Sequence, residues 1–354
     1  MTMDIESTTQ ASVVSSELAE GDVVLDVQNL VVHYVLEDET VEAVNGVNIT
    51  LKKGQTMGLV GETGAGKTSV ALSILNLVPH PPGVIKSGAI AVCGSEVLKM
   101  TPKQLEKIRG KDVSMIFQDP MTALNPVMPV GEQIAESIRY HEGLSYNDSM
   151  QKADEMLELV GIPATRSMEY PHQFSGGMKQ RVIIAIALAC NPKVLIADEP
   201  TSALDVTIQA QVLDMMCDLK DKLGTALIMI THDLGVVAKI CDSVAVMYAG
   251  KIVETGTLRD VFNTPKHPYT EGLFDSLPNI RDIRDKAAQL KPIPGLMPDP
   301  TQLPPGCAFE PRCRYAIEAC TKPCVAHTFS DTHTVMCSRY AEPDFNIELK
   351  RGGQ

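Results

Sequence analysis

The apolar positions of this chain change period as it proceeds. Residues 23–35, VVLDVQNLVVHYV, are rich in β-branched side chains and partly alternate, which predicts a half-buried strand. Residues 41–51, VEAVNGVNITL, alternate too. A KKGQ turn leads into TMGLVG, a short apolar strand running into a glycine-rich loop, and over 67–77 the spacing becomes helical. Residues 103–161 are mostly helical in pattern; the apolar strand VSMIF interrupts them, and Pro120, Pro126 and Pro129 break the stretch after it. KADEMLELVGI has apolar residues at i, i+3, i+4 and stops at Gly161. Next come a buried helix through VIIAIALAC, the buried strand KVLIAD, a helix over about 207–223, the strand TALIMITH, and a hairpin or two short strands in SVAVMYAGKIVETG. Buried strands alternating with helices predict an α/β fold on a mainly parallel sheet, with a helical insertion.

The texture changes past Phe262. Residues 265–305 are rich in proline and turn formers around a short charged helix at about 280–290, the pattern of a linker or an arm lying on another surface. The first 22 residues are polar, rich in Ser and Thr, and lack the basic start and apolar middle of a signal peptide; they read as a disordered tail. No internal repeat is present. The longest apolar run, VIIAIALAC, falls far short of the roughly 20 residues a membrane span needs. Aromatics are only 4% of the 354 residues and tryptophan is absent, so the core must be aliphatic and methionine-rich. A net charge of −13 argues against sequence-independent nucleic-acid binding, which depends on Lys and Arg neutralising phosphates. These features predict a cytosolic chain that docks on a membrane protein. Of nine cysteines, Cys93, Cys190, Cys217 and Cys241 sit singly in apolar surroundings and read as small core residues. The other five crowd between Cys307 and Cys337, where a cytosolic chain has no use for structural disulfides.

GETGAGKT, 61–68, fits G-x-x-x-x-G-K-[ST] between a strand and a helix. Its glycines let backbone N–H groups turn inward around phosphates, and the helix N-terminus adds partial positive charge. Gly61, Glu62, Thr63, Gly64, Ala65, Gly66, Lys67, Thr68 and Ser69 are therefore candidate nucleotide contacts. Lys67 would reach the β- and γ-phosphates, and the Thr68 hydroxyl would bind Mg²⁺. VLIADEP ends an apolar strand in two carboxylates: Asp198 to hold Mg²⁺, and Glu199, aimed elsewhere, to polarise the attacking water. Gln118 after VSMIF and His232 after LIMIT end two further strands, where ligands bind open α/β sheets. Gln118 would touch the metal or the water, and His232 the γ-phosphate; taken singly, a Gln or His in such a place is more often structural. QFSGGMKQR, 173–181, is a second phosphate-binding helix end in a chain that already has one.

The order of Gly61–Thr68, Gln118, FSGGM, DEP, SALD and His232 resembles an ABC-type ATPase cassette over about 23–263. FSGGM departs from the commoner LSGGQ at its first and last positions but keeps the Ser and both Gly. The resemblance implies a P-loop NTPase with a RecA-like core, an antiparallel β subdomain and a helical subdomain at about 119–174. It implies that Ser175, Gly176 and Gly177 cap the γ-phosphate held by a second cassette, that SALD, 202–205, lies at the same seam, and that Tyr34 stacks on adenine. ATP and Mg²⁺ are the implied ligands, and Glu199, His232, Gln118 and Lys67 the implied catalytic set.

HPYT, IPG, LPPGCAFEPRC and HTVMC in 264–354 resemble the C-terminal extension of oligopeptide/dipeptide importer ATP-binding subunits and their nickel-importer relatives. The tail spacing, C-x5-C-x6-C-x3-C and then Cys337, contains no CxxC pair. The resemblance places a ligand set on Cys307, Cys313, Cys320 and Cys337, for a [4Fe–4S] cluster or alternatively zinc; Cys324 is extra and a substitute for Cys320 or Cys337. His327 and His333 read as surface or hydrogen-bonding residues rather than zinc ligands.

The implied function is the ATPase of a di-/oligopeptide importer, with nickel or another solute as the alternative. The implied partners are a second, paralogous cassette, two membrane permease subunits and an extracytoplasmic solute-binding protein, with the chain peripheral on the cytoplasmic face. Two other classes compete. A soluble ABC ATPase acting on nucleic acid would carry a long coiled-coil insertion or two cassettes, and neither is visible. A redox or metal sensor that only binds nucleotide would not need Lys67, Glu199 and His232 together.

Overall fold

A computed structural model describes residues 22–119, 122–202, 204–276 and 292–347. In chain order its strands are β1 (Val23–Val35), β2 (Thr40–Lys52), β3 (Thr56–Val60), β4 (Gly83–Val92), β5 (Ser95–Glu96), β6 (Val113–Ile116), β7 (Val194–Asp198), β8 (Ala226–Ile230), β9 (Ser243–Tyr248), β10 (Lys251–Thr257), β11 (Ala326–Thr328) and β12 (Thr334–Met336). The helices are α1 (Lys67–Ile74), α2 (Pro102–Ile108), α3 (Val130–Glu142), α4 (Tyr146–Leu159), α5 (Gly176–Leu188), α6 (Val206–Leu223), α7 (Leu234–Ile240), α8 (Leu258–Asn263) and α9 (Pro268–Asp275).

The strands form two sheets. An antiparallel sheet runs β2-β1-β4-β5, and a larger one runs β11-β12-β10-β9-β3-β8-β7-β6. From β9 to β6 the larger sheet is parallel. Every residue of β3, β7 and β8 is buried, as expected of strands covered on both faces. Alternation splits their side chains between two cores. Leu195 and Ala197 of β7 join one with the helices α3 to α6, whereas Val194 and Ile196 join the other with β1, β2 and α1.

The helical insertion is built from α3 and α4, followed by α5. Left-handed Gly143 ends α3, and the Ser145 side chain caps α4 by accepting from Asp148 N at 3.2 Å. β6 is the outermost strand of the sheet; its one ladder is with β7, and Val113 makes an isolated bridge to Arg109.

The sequence reading missed two features. β4 and β5 complete the antiparallel sheet from 83–96, a stretch whose period predicted nothing. β11 and β12 lie in the cysteine-rich tail, and β12 adds to β10 through Glu254↔Val335 and Thr255↔Thr334, so the larger sheet takes in part of that tail. Cys241 is buried as expected, but Cys93 is exposed in the β4–β5 turn at φ 48°. VSMIF is a strand only to Ile116; Phe117 lies beyond it, exposed. The expected N-terminal tail up to residue 21, the charged helix at 280–290 and Ala203 of SALD lie outside the described residues. Among the described residues no helix is long and apolar enough to cross a membrane.

Candidate nucleotide site

The glycine-rich loop leaves β3, curls, and enters α1. It threads between β2 and β9 with no room for side chains at two of its corners. A Cβ on Gly61 would stand 2.1 Å from the Met247 carbonyl oxygen, and one on Gly66 2.2 Å from that of Ala43. Thr63 and Gly64 form the exposed crest, while Ala65 is buried beneath. Lys67 Nζ folds back onto the loop, donating to Gly61 O at 2.7 Å and Glu62 O at 2.9 Å. Burial lowers the Lys67 pKa, against the pull of Glu199, Asp198 and Glu62.

Next along the sheet, β8, β7 and β6 deliver His232, the Asp198–Glu199 pair and Gln118 at their carboxyl ends. Thr68 Oγ1 donates to Asp198 Oδ2 at 2.7 Å. Asp198 is 1% exposed, and burial raises its pKa, opposed by the Thr68 bond. A hydroxyl and a buried carboxylate are hard oxygen donors that suit Mg²⁺, and a cation there would relieve the desolvated charge. Glu199 faces the other way. Its backbone holds φ 47°, a left-handed conformation that a non-glycine residue adopts only under constraint, with its N–H bonded to Ile230 O at 2.9 Å. One carboxylate oxygen lies 3.1 Å from His232 Nδ1, and the other accepts from Gln118 Nε2 at 3.5 Å. Gln118, Glu199 and His232 are thus brought together, and Lys67, Thr68 and Asp198 form the adjoining group.

Tyr34 reaches the same place from β1, its hydroxyl sharing a 3.1 Å hydrogen bond with Ser69 Oγ. Ser175 caps α5 and accepts from Met178 N at 3.4 Å; it is exposed, and its hydrogen bonds stay within its own helix turn. Among the described residues, Ser175, Gly176 and Gly177 make no hydrogen bond to the phosphate loop of their own chain; Gly177 lies close against Ile208 of α6. Asp205 caps α6 through Ile208 N at 3.1 Å.

The sequence reading missed a link from the tail to the loop. Arg312 Nη1 donates to Glu62 Oε2 at 3.0 Å and to Tyr248 Oη at 3.1 Å, and Glu62 N donates to Tyr269 Oη at 2.9 Å. Tyr248, Tyr269 and Phe309 pack ring against ring. Glu62 and Arg312 lie 250 residues apart; the only trace in the sequence was the arginine inside the tail motif LPPGCAFEPRC.

The tail cysteines are all free and near one another. Burial pushes the Cys307 thiol up to about 12, with Cys324, Cys320 and Cys313 adding to it, and likewise that of Cys337. The donors have the chemistry of a thiolate site. Even so, among the described residues no three His, Cys, Asp or Glu side chains are placed to hold one metal ion, so the structure does not support the zinc or iron–sulfur ligation of Cys307, Cys313, Cys320 and Cys337. Cys324 turns to Ser338 Oγ at 3.3 Å. His333, expected at the surface or in a hydrogen bond, is buried and lies 2.8 Å from Glu254 Oε1.

Comparison with known proteins matches residues 44–202 to the ABC transporter family and 253–320 to the oligopeptide/dipeptide transporter C-terminal region. The oligopeptide transport ATP-binding protein OppD of Bacillus subtilis is 51% identical over 83% of this chain and 82% of its own. The dipeptide transport ATP-binding protein DppD of the same organism is 48% identical over 89% and 94%. Among solved structures, the dimeric ATP-binding cassette MJ0796, in a post-hydrolysis state bound to ADP and Pi, superposes with a TM-score of 0.59 at 25% identity, covering 66% of this chain and 99% of that one.

Proposed function

Because the chain belongs to the family of ABC-transporter ATP-binding proteins of oligopeptide and dipeptide transport, we propose that it binds and hydrolyses ATP to drive the import of di- and oligopeptides. The observation that carries this reading is the convergence of Gln118, Glu199 and His232 beside the phosphate loop.

Phosphoryl transfer leaves the protein mainly positioning and charge neutralisation to perform. Residues 61–69 would wrap the phosphates with backbone N–H groups, and Lys67 would exchange the carbonyls of Gly61 and Glu62 for the β- and γ-phosphates. Thr68, Asp198 and Gln118 would hold Mg²⁺, which neutralises charge on the phosphate oxygens when bound. Glu199 would accept a hydrogen bond from the attacking water, its carboxylate held at one oxygen by Gln118 and at the other by His232. Tyr34 would lie against adenine. The exposed Ser175 at the start of α5 supports a seam in which Ser175, Gly176 and Gly177 close on the nucleotide of a neighbouring cassette.

In this reading 23–263 is the cassette, with its helical subdomain at about 119–174, and 264–354 the extension. The partners are a paralogous cassette, two permease subunits and an extracytoplasmic binding protein, and the chain sits peripherally on the cytoplasmic face. For the tail we propose that Cys307, Cys313, Cys320 and Cys337 brace it around a [4Fe–4S] cluster, on the strength of their thiol-only donor set. Anaerobically purified protein lacking iron and sulfide would remove that assignment. The transport reading is tested by reconstituting the chain with its permease in vesicles. ATP hydrolysis should rise with a di- or oligopeptide and its binding protein; a response confined to a nickel chelate, or none, would overturn it.

A further inference from the structure

Glu62 places a carboxylate in a loop that must receive a polyanion. Its backbone is already committed: N–H to Tyr269 Oη and carbonyl to Lys67 Nζ. The backbone of Glu62 is thus fixed, and its carboxylate, 31% exposed, is held by Arg312. The tail supplies the opposite charge. Arg312 has a side chain only 7% exposed, fixed by Pro294 O at 2.8 Å, Tyr248 Oη and Glu62 Oε2. Burial works against its charge, but the bonds to Glu62 and Tyr248 outweigh that and raise its pKa. The same segment also touches the loop and its flank elsewhere: a Cβ on Gly64 would meet Met297 Cε at 3.0 Å, and Glu42 N donates to Pro300 O at 2.9 Å.

We infer that Arg312 is a positioning residue for nucleotide binding: from the C-terminal extension it neutralises and orients Glu62, so that the phosphate loop presents no unpaired negative charge to the triphosphate. The inference rests on the reading of 61–69 as the nucleotide loop. Tyr248 and Tyr269 hold the two ends of the link, so the tail is in direct register with the phosphate site. An unpaired carboxylate within a few ångströms of a phosphate repels it strongly in a partly buried setting.

The test is the affinity of the full chain for Mg·ADP, by calorimetry. Arg312→Gln should raise Kd at least about tenfold. Glu62→Gln/Arg312→Gln should return to within about threefold of Glu62→Gln alone, because a neutral residue 62 needs no counter-charge. A purely structural role for Arg312 would leave the double variant as weak as Arg312→Gln; that result, or an Arg312→Gln Kd equal to wild type, overturns the inference. Should Arg312→Gln not fold, Arg312→Lys decides. It keeps the charge and should bind within about threefold of wild type, whereas a tenfold loss would reject charge neutralisation. A wild-type chain that does not bind Mg·ADP sinks the nucleotide reading and the inference with it.

Discussion

In the proposed reading, Glu199 is the residue on which turnover and binding separate. Its left-handed backbone, at an order of about 1–3 kcal/mol of strain, turns it away from Asp198 and between Gln118 and His232. Glu199→Gln keeps the size and both hydrogen bonds in altered form but removes the base. Nucleotide affinity should stay within about threefold, while ATP turnover of the assembled transporter falls at least about 100-fold. Single-turnover kinetics beside a binding isotherm checks this, and normal turnover would remove Glu199 from the chemistry. The sequence made these residues legible because strand ends, glycine spacing and paired carboxylates are local signals. The Glu62–Arg312 pair was illegible for the converse reason: a contact closed by tertiary folding leaves no mark at either position. Cys93 was misread because a lone cysteine after an apolar run looks like core, whereas a turn had already turned it outward.

At the scale of elements, two helix starts matter. Ser175, at the start of α5, is exposed, while Gly176 and Gly177 are half-buried, Gly177 close against Ile208. Ser175→Arg should leave Mg·ADP binding by the isolated chain unchanged and reduce steady-state hydrolysis by the assembled transporter at least about tenfold; lost ADP affinity would show that α5 serves its own loop. The other start is α9, where buried His267 caps the helix by accepting from Tyr269 N at 3.0 Å. Burial lowers its pKa from 6.5 to about 4. The unfolded ring therefore takes up a proton before the folded one does, so the stabilisation is complete above about pH 6.5 and is lost as pH falls toward 4. The loss amounts to roughly 3 kcal/mol at most. His267→Asn, which keeps a capping oxygen, should flatten that part of the Tm-against-pH curve; an unchanged slope would clear His267. Long periodic elements were legible here, except β4, whose ten residues hold Lys86, Ser87 and Gly88 at their middle and do not alternate cleanly. The short strands β5, β11 and β12 were not, because two or three residues carry too little period to announce a strand and are fixed by the edge they join.

At the scale of the whole molecule, the cysteine-rich tail is stitched to the rest of the chain at several places, among them β12 on β10 and Arg312 on Glu62. Val335, fully buried in the first stitch, therefore bears on the second. Val335→Asp buries an unpaired charge and should destabilise the tail by about 3 kcal/mol or more. Limited proteolysis should then cut within 292–347, and the Kd for Mg·ADP should rise in parallel; a cut tail with unchanged affinity would show the stitches to be independent. The change of texture past Phe262 was plain in the sequence. That the tail continues the main sheet was not, since sheet order is a property of the folded chain.

β6, at the rim of that sheet, is held by a single ladder, whereas β7 and β8 are each clamped on both sides. Gln118 follows this edge strand by two residues and precedes the helical insertion. In the proposed reading, a partner that pulled on the insertion would displace Gln118 before Glu199 and His232, and would act first on the 3.5 Å hydrogen bond from Gln118 to Glu199.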